Sequence, residues 1–98
     1  LKLSRGLGDV YKRQEKISTK ELNEWVEKAV RNYPPPANQG KSIKIKFIEQ
    51  VQQSPPIFAL FSNYPKLISI QYLRYLHNQI RDSFDLNGIT IKFSLRKG

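Results

Sequence analysis

The chain contains no cysteine, which excludes a disulfide framework, a thiolate metal site and a cysteine nucleophile. Histidine is almost as scarce. The single one, His77, has no carboxylate or second ligand at metal spacing, so it reads as a surface or rim residue and not as a ligand or general base. Five glycines and no G-x-x-x-x-G-K-[ST] loop leave nothing to cradle nucleotide phosphates. Ser54, Ser62 and Ser69 have no histidine–acid partner in view, which removes support for nucleophilic catalysis. No stretch approaches the ~18 apolar residues of a membrane span, and no charged-then-apolar signal peptide opens the chain. The expectation is a cytoplasmic protein with no enzymatic activity of its own, no cofactor, no metal and no membrane contact.

Acidic residues are also few: eight Asp and Glu against seventeen Lys and Arg, a net charge of +9. Such a balance favours anionic partners. Residues 1–14 carry part of it. They show no helical or strand period, and Asp9-Val10-Tyr11-Lys12-Arg13-Gln14 reads as the in-frame translation of a transposon-end sequencing adapter. A basic linker is the alternative, and both readings predict disorder over 1–14. Setting the segment aside removes Lys2, Arg5, Lys12, Arg13 and Asp9, which leaves +6 over residues 15–98. A chain of 98 residues with 39% apolar content forms one domain with one core, burying ~65% of its unfolded surface.

Several local patterns are present. Ser18 to Glu21 fits a capping box, with Ile17 and Leu22 placed to close over it as a hydrophobic staple. Leu22, Val26, Ala29, Val30 and Tyr33 then recur at helical spacing. Pro34-Pro35-Pro36 ends the helix, because proline lacks the N–H and pushes the preceding residue out of the α region. Ile43, Ile45 and Phe47 alternate with Lys44 and Lys46, the period of a strand with one buried face. Ile48 breaks the phase and suggests a bulge before Val51. A hairpin loop over residues 52–56 leads into Ile57-Phe58-Ala59-Leu60-Phe61, a strand apolar at every position that needs cover on both faces. Ser69 can cap a second helix with Leu73, Leu76, Ile80 and Phe84 on one face. Asn87-Gly88 supplies a turn, and Ile89, Ile91, Phe93 and Leu95 alternate in a third strand.

The order is α-β-β-α-β, an α+β domain. The all-apolar strand belongs in the centre of a three-stranded mixed sheet, antiparallel to the first strand and parallel to the last by the right-handed crossover rule. Two helices then pack on one face. A chain this small has nothing left for the other.

Such a domain resembles the KH-like family of RNA-binding modules, and a longer pattern narrows the resemblance. Ile17-Ser18-Thr19-Lys20-Glu21-Leu22-Asn23, the triple proline, Gln50-Val51, Pro55-Pro56 before Phe58-Ala59-Leu60-Phe61, Asn63 and Pro65 are part of it. Tyr72, Arg74-Tyr75-Leu76, Asn78, Arg81, Phe84-Asp85-Leu86, Gly88 and Ile91 continue it. Together they look like the C-terminal KH-like domain of the bacterial tandem GTPases of the Der, or EngA, family, over residues 15–98. The resemblance implies a ribosome-assembly GTPase whose two GTP-hydrolysing domains, with their GTP and Mg, lie outside this sequence, and a family tail that runs a few residues past Gly98. Ordinary KH domains grip four nucleotides with a G-x-x-G loop. Residues 62–69 here hold no glycine, so that mode of RNA binding has no support.

The candidate RNA-phosphate contacts are Lys44, Lys46, Lys92 and Arg96, with Lys41 and Lys97 at the margins. Alternating lysines also guard sheet edges against aggregation, and both readings fit. Arg74 and Arg81, with Tyr72 and Tyr75, can pair with or stack on RNA; the alternative places the tyrosines on the core rim and pairs Arg81 with Asp85. Asn63 and Asn78 suit backbone bonding, and Trp25 a partly buried anchor. Ile57, Ala59, Phe61 and Asn63 are the candidate docking residues. The implied partners are the GTPase domains of the same protein and the rRNA of the large ribosomal subunit. A docking module without RNA contact and a free-standing RNA-binding protein are the rival readings.

Overall fold

A computed structural model describes residues 16–98, and the expectation of disorder over residues 1–14 lies outside them. The elements are α1 (Thr19–Asn32), β1 (Ile45–Gln53), β2 (Pro56–Ser62), a 3-10 turn (Pro65–Leu67), α2 (Ile70–Ser83) and β3 (Lys92–Lys97). The sheet order is β1-β2-β3, with β1 antiparallel and β3 parallel to the central strand. This is the expected α+β arrangement.

Local chemistry explains the boundaries. The Ser18 hydroxyl accepts from the Glu21 N–H at 3.1 Å and donates to the Glu21 carboxylate at 3.3 Å, a capping arrangement in which the glutamate meets the hydroxyl and not the Ser18 N–H. Ile17 and Leu22 are both buried in the core. At its other end α1 stops at the C-cap Tyr33, directly before the prolines. Ser69 caps α2 by accepting from the Tyr72 N–H. Helix α2 closes through Leu86 N–H to Arg81 C=O at 2.9 Å, with Asp85 at φ 56°, the geometry of a Schellman motif carried by aspartate in place of glycine.

The core joins Leu22, Trp25, Val26 and Ala29 of α1 to Tyr72, Leu76 and Ile80 of α2, over Ile48, Phe58 and Leu60 of the sheet. Two details depart from the sequence pattern. In α2 the fully buried line is Tyr72, Leu76, Ile80, while Leu73 and Phe84 are half-buried. The Tyr72 hydroxyl reaches the Tyr33 carbonyl at 2.8 Å, which satisfies the one polar atom that burial would otherwise penalise. In β1 the Ile43-Ile45-Phe47 alternation does not hold. The register slips between Ile45 and Phe47 and again between Gln50 and Gln52, so Ile48 enters the core and Phe47 turns to the opposite face, 39% exposed.

Candidate docking face and basic rim

Paired residues on neighbouring strands share a face. Register therefore sorts β2 into two sets. Phe58 and Leu60 oppose Gln50 and Ile48 on β1 and Phe93 and Leu95 on β3, and both lie in the core cluster under the helices. Ile57, Ala59 and Phe61 oppose Gln52, Glu49 and Phe47 on one side and Lys92, Ser94 and Arg96 on the other. These form the face turned away from α1 and α2.

On that second face Phe61 and Phe47 stack at 5.9 Å between centroids, tilted by 58°. Ile57 and Phe61 are half-buried. Ala59 is fully buried and offers no surface of its own; its small side chain sets the depth between its two larger neighbours. Lys92 and Arg96, both exposed, flank the apolar pair along β3. Arg96 Nε donates to Ser94 Oγ at 3.3 Å. Glu49, opposite Ala59 on the edge strand β1, adds one carboxylate to the face.

The other candidates occupy three separate places. Lys46 is the extra residue of the first bulge in β1, and Lys44 precedes the strand. Asn63 organises this entry: its N–H donates to Lys44 C=O at 3.3 Å, its Oδ1 accepts from Lys44 N–H at 2.8 Å and its Nδ2 donates to Ser42 C=O at 3.0 Å. Its side chain is thus committed within the domain. Lys41 and Lys97 sit apart from the apolar face, each with its ammonium over the Tyr64 ring, at 5.4 and 5.9 Å from the centroid.

Arg74 and Arg81 lie on α2. Arg74 is exposed. Arg81 does not pair with Asp85; its Nη2 donates to Ile89 C=O at 3.1 Å, pinning the loop that leads to β3, and its buried Nε has no protein partner among the described residues. A backbone carbonyl needs no second charge to be desolvated, which makes it the easier partner at a half-buried site. Tyr72 and Tyr75 form an aromatic cluster with Tyr33, and Tyr75 OH donates to Ala29 C=O at 2.7 Å. Burial, then the neighbouring phenols, raises the pKa of Tyr72; burial, then Tyr33, raises that of Tyr75. Both are helix-to-helix ties on the core rim, as one of the two sequence readings has it.

His77 is half-buried at the rim. Its Nε2 faces Ile91 C=O at 3.0 Å, and since the carbonyl accepts, Nε2 carries the hydrogen. Trp25 is an anchor, buried and edge-on to Phe84 at 6.3 Å. Asn78 is exposed.

Three residues with structural weight were not singled out as sites. Asn23 donates to Ile48 C=O at 2.9 Å and accepts from Ile48 N–H at 3.0 Å, taking the place of a neighbouring strand at the edge of β1. Gln50 accepts from Ile17 N–H at 2.7 Å. Tyr64 is the third, and its signal was available: it is an aromatic residue in a loop, followed by proline. Among the described residues no helix is long and apolar enough to cross a membrane.

Comparison with known proteins agrees with this geometry. The family described as "KH-domain-like of EngA bacterial GTPase enzymes, C-terminal" matches residues 16–96. The chain is 46% identical to GTPase Der of Bartonella tribocorum over 83% of its own length and 17% of that protein. It is 41% identical to GTPase Der of Flavobacterium johnsoniae over 87% of itself and 20% of the relative. For GTPase Der of Rickettsia canadensis the identity is 42%, over 90% and 20%. The chain therefore spans about a fifth of the length of the curated relatives it matches. An α-β-β-α-β sandwich, a sheet clad on one face by two helices and a family match over nearly all of the described residues lead to one conclusion: the chain belongs to the KH-like C-terminal domain family of the EngA, or Der, bacterial GTPases.

Proposed function

We propose that this chain is the accessory module of a Der-type ribosome-assembly GTPase. It docks on the GTPase domains of the same protein through the helix-free sheet face and contacts rRNA of the large subunit through its basic rim. In this reading GTP and Mg belong to the GTPase domains, the module adds no chemistry of its own, and the protein works in the cytoplasm. It couples nucleotide state to ribosome contact.

The observation that carries the docking half is the Phe47–Phe61 pair on a face that neither α1 nor α2, the two α-helices among the described residues, covers. Aromatic residues in a patch ringed by polar groups are the usual centre of an interface. Supporting RNA contact are Lys44, Lys46, Lys92 and Arg96, all exposed and without a carboxylate partner among the described residues. Neutralising four phosphates gives a log–log salt slope of roughly 3 to 4.

Docking without RNA contact is the second reading, and Glu49 on the β1 edge of that face favours it, since a carboxylate repels phosphate. Two variants separate the readings. Phe61→Ala is expected to weaken association with the GTPase domains of a Der-type relative at least about tenfold and to leave RNA binding within about twofold. Reversing Lys44 and Lys46, which lie outside the paired residues of that face, to glutamate is expected to do the opposite. Absence of association with both the GTPase domains and ribosomal subunit precursors would overturn the proposal.

A further inference from the structure

At the end of the molecule where β2 and β3 finish, three segments meet around one aromatic ring. Tyr64 follows β2, and its backbone is fixed on both sides: its N–H donates to Ser62 Oγ at 3.2 Å and its carbonyl accepts from Leu67 N–H at 3.0 Å. The ring is half-buried and packs against the core. Lys41 closes a tight turn, with N–H to C=O bonds to Asn38 in both directions and positive φ at Gln39 and Gly40, a type I′ geometry. The Asn38 side chain ties that turn to Leu67 C=O at 3.1 Å. Lys97 pairs with Ser62 at the end of β3. Lys44 is fixed beside Asn63 by the bonds described above.

Each of these positions is held by main-chain hydrogen bonds, while the lysine stems stay free. Both ammonium groups of Lys41 and Lys97 turn to the same ring. No aspartate or glutamate occurs from residue 50 to 81 or from 86 to 98, and none from 28 to 48, so the charged side chains of the segments that build this end are all cationic. Like charges gathered without a counter-ion are a site for an anion. An exposed cation–π contact is weaker than a charge-assisted hydrogen bond to phosphate. A phosphate therefore draws the ammoniums off the ring by rotation of their stems and uncovers its face.

We infer that Tyr64, Lys41 and Lys97 form a binding site for an unpaired nucleotide of single-stranded RNA, with the base stacked on Tyr64 and the flanking phosphates held by the two lysines. The inference rests on the RNA-contact reading proposed above and assigns it a second location, away from the β3 lysine and arginine of the docking face. A flat ring flanked by cations suits a base joined to phosphates. An acidic peptide would satisfy the lysines and leave the ring without a stacking partner.

The test measures binding of the full chain to a short oligoadenosine, to a blunt RNA duplex of equal charge and to an oligoglutamate peptide. Tyr64→Ala is expected to weaken oligoadenosine binding about tenfold and duplex binding less than twofold, whereas Tyr64→Phe, which keeps the ring and the packing, retains both. Lys41→Gln with Lys97→Gln is expected to lower the log–log salt slope for oligoadenosine by about 1.4. Equal losses for single-stranded and duplex RNA, or oligoglutamate binding with the same dependence on Tyr64, would overturn the site while leaving RNA contact elsewhere intact. Failure of the unaltered chain to bind either RNA would overturn the RNA-contact reading and the site with it.

Discussion

Phe58 and Phe61 stand three residues apart on one strand, and their surroundings differ in kind. Phe58 is fully buried beneath both helices and touches Phe93 at 6.2 Å. Phe61 lies on the opposite face, against Phe47, beside Arg96 and Glu49's side of the sheet. An apolar residue on the helix side is explained by the domain's own core. On the other side no layer among the described residues covers the same residue type, and the docking proposed above would supply one.

Truncation should separate the two faces. Phe58→Ala is expected to cost about 3–5 kcal/mol, because it removes a buried ring and leaves a cavity. Phe61→Ala is expected to cost under about 1 kcal/mol in the isolated domain, where the ring still meets water. Denaturant titration of the two variants checks this directly. Similar losses would mean that both faces belong to one closed core, and the comparison would fail.

A second contrast sets Asn63 against the apolar residues it was grouped with. Its side chain makes hydrogen bonds to Lys44 N–H and Ser42 C=O, so Asn63→Ala is expected to lower stability by about 1–3 kcal/mol. Its association with GTPase domains, measured at a temperature where it is folded, should be unchanged. Loss of docking with unchanged stability would return Asn63 to the interface.

A further contrast belongs to the helix side of the molecule. Tyr72→Phe removes the bond to Tyr33 C=O at a cost of about 1 kcal/mol. The raised pKa of Tyr72 and Tyr75 fixes the sign of the pH dependence. The neutral phenol is favoured in the folded state, so its contribution is fully present below the unfolded value near pH 10 and is lost as pH rises through the higher folded value. The melting temperature should fall above about pH 10, and less steeply in Tyr72→Phe. A melting temperature that rises over that range would contradict the assignment.

Much of this was legible in the residues. Ser18, Ser69 and the triple proline mark the helix boundaries because capping and the missing proline N–H are local effects. The central strand was legible because the unbroken apolar run over residues 57–61 fits a strand with a neighbour on each edge. The phase of β1 was not fully readable: Ile48 signals a bulge, but whether the slip falls before or after it depends on pairing with Leu60 and Phe61, which no local pattern encodes. The turn of α2 that buries Tyr72 and not Leu73 depends in the same way on a distant carbonyl, that of Tyr33. The Arg81 bond to Ile89 C=O was hidden for the opposite reason, since Asp85 stands at helical spacing and offers an obvious partner. The loop around Tyr64 was hidden because its three parts are far apart in sequence.

The docking proposal makes the sheet face turned away from α1 and α2 an interface. The direct measurement is amide chemical-shift mapping of this chain as the GTPase domains of a Der-type relative are titrated in. Shifts centred on Phe47, Ile57, Phe61, Lys92 and Arg96 are the predicted result. Shifts centred on the outer surfaces of α1 and α2, with those five residues unmoved, would contradict it.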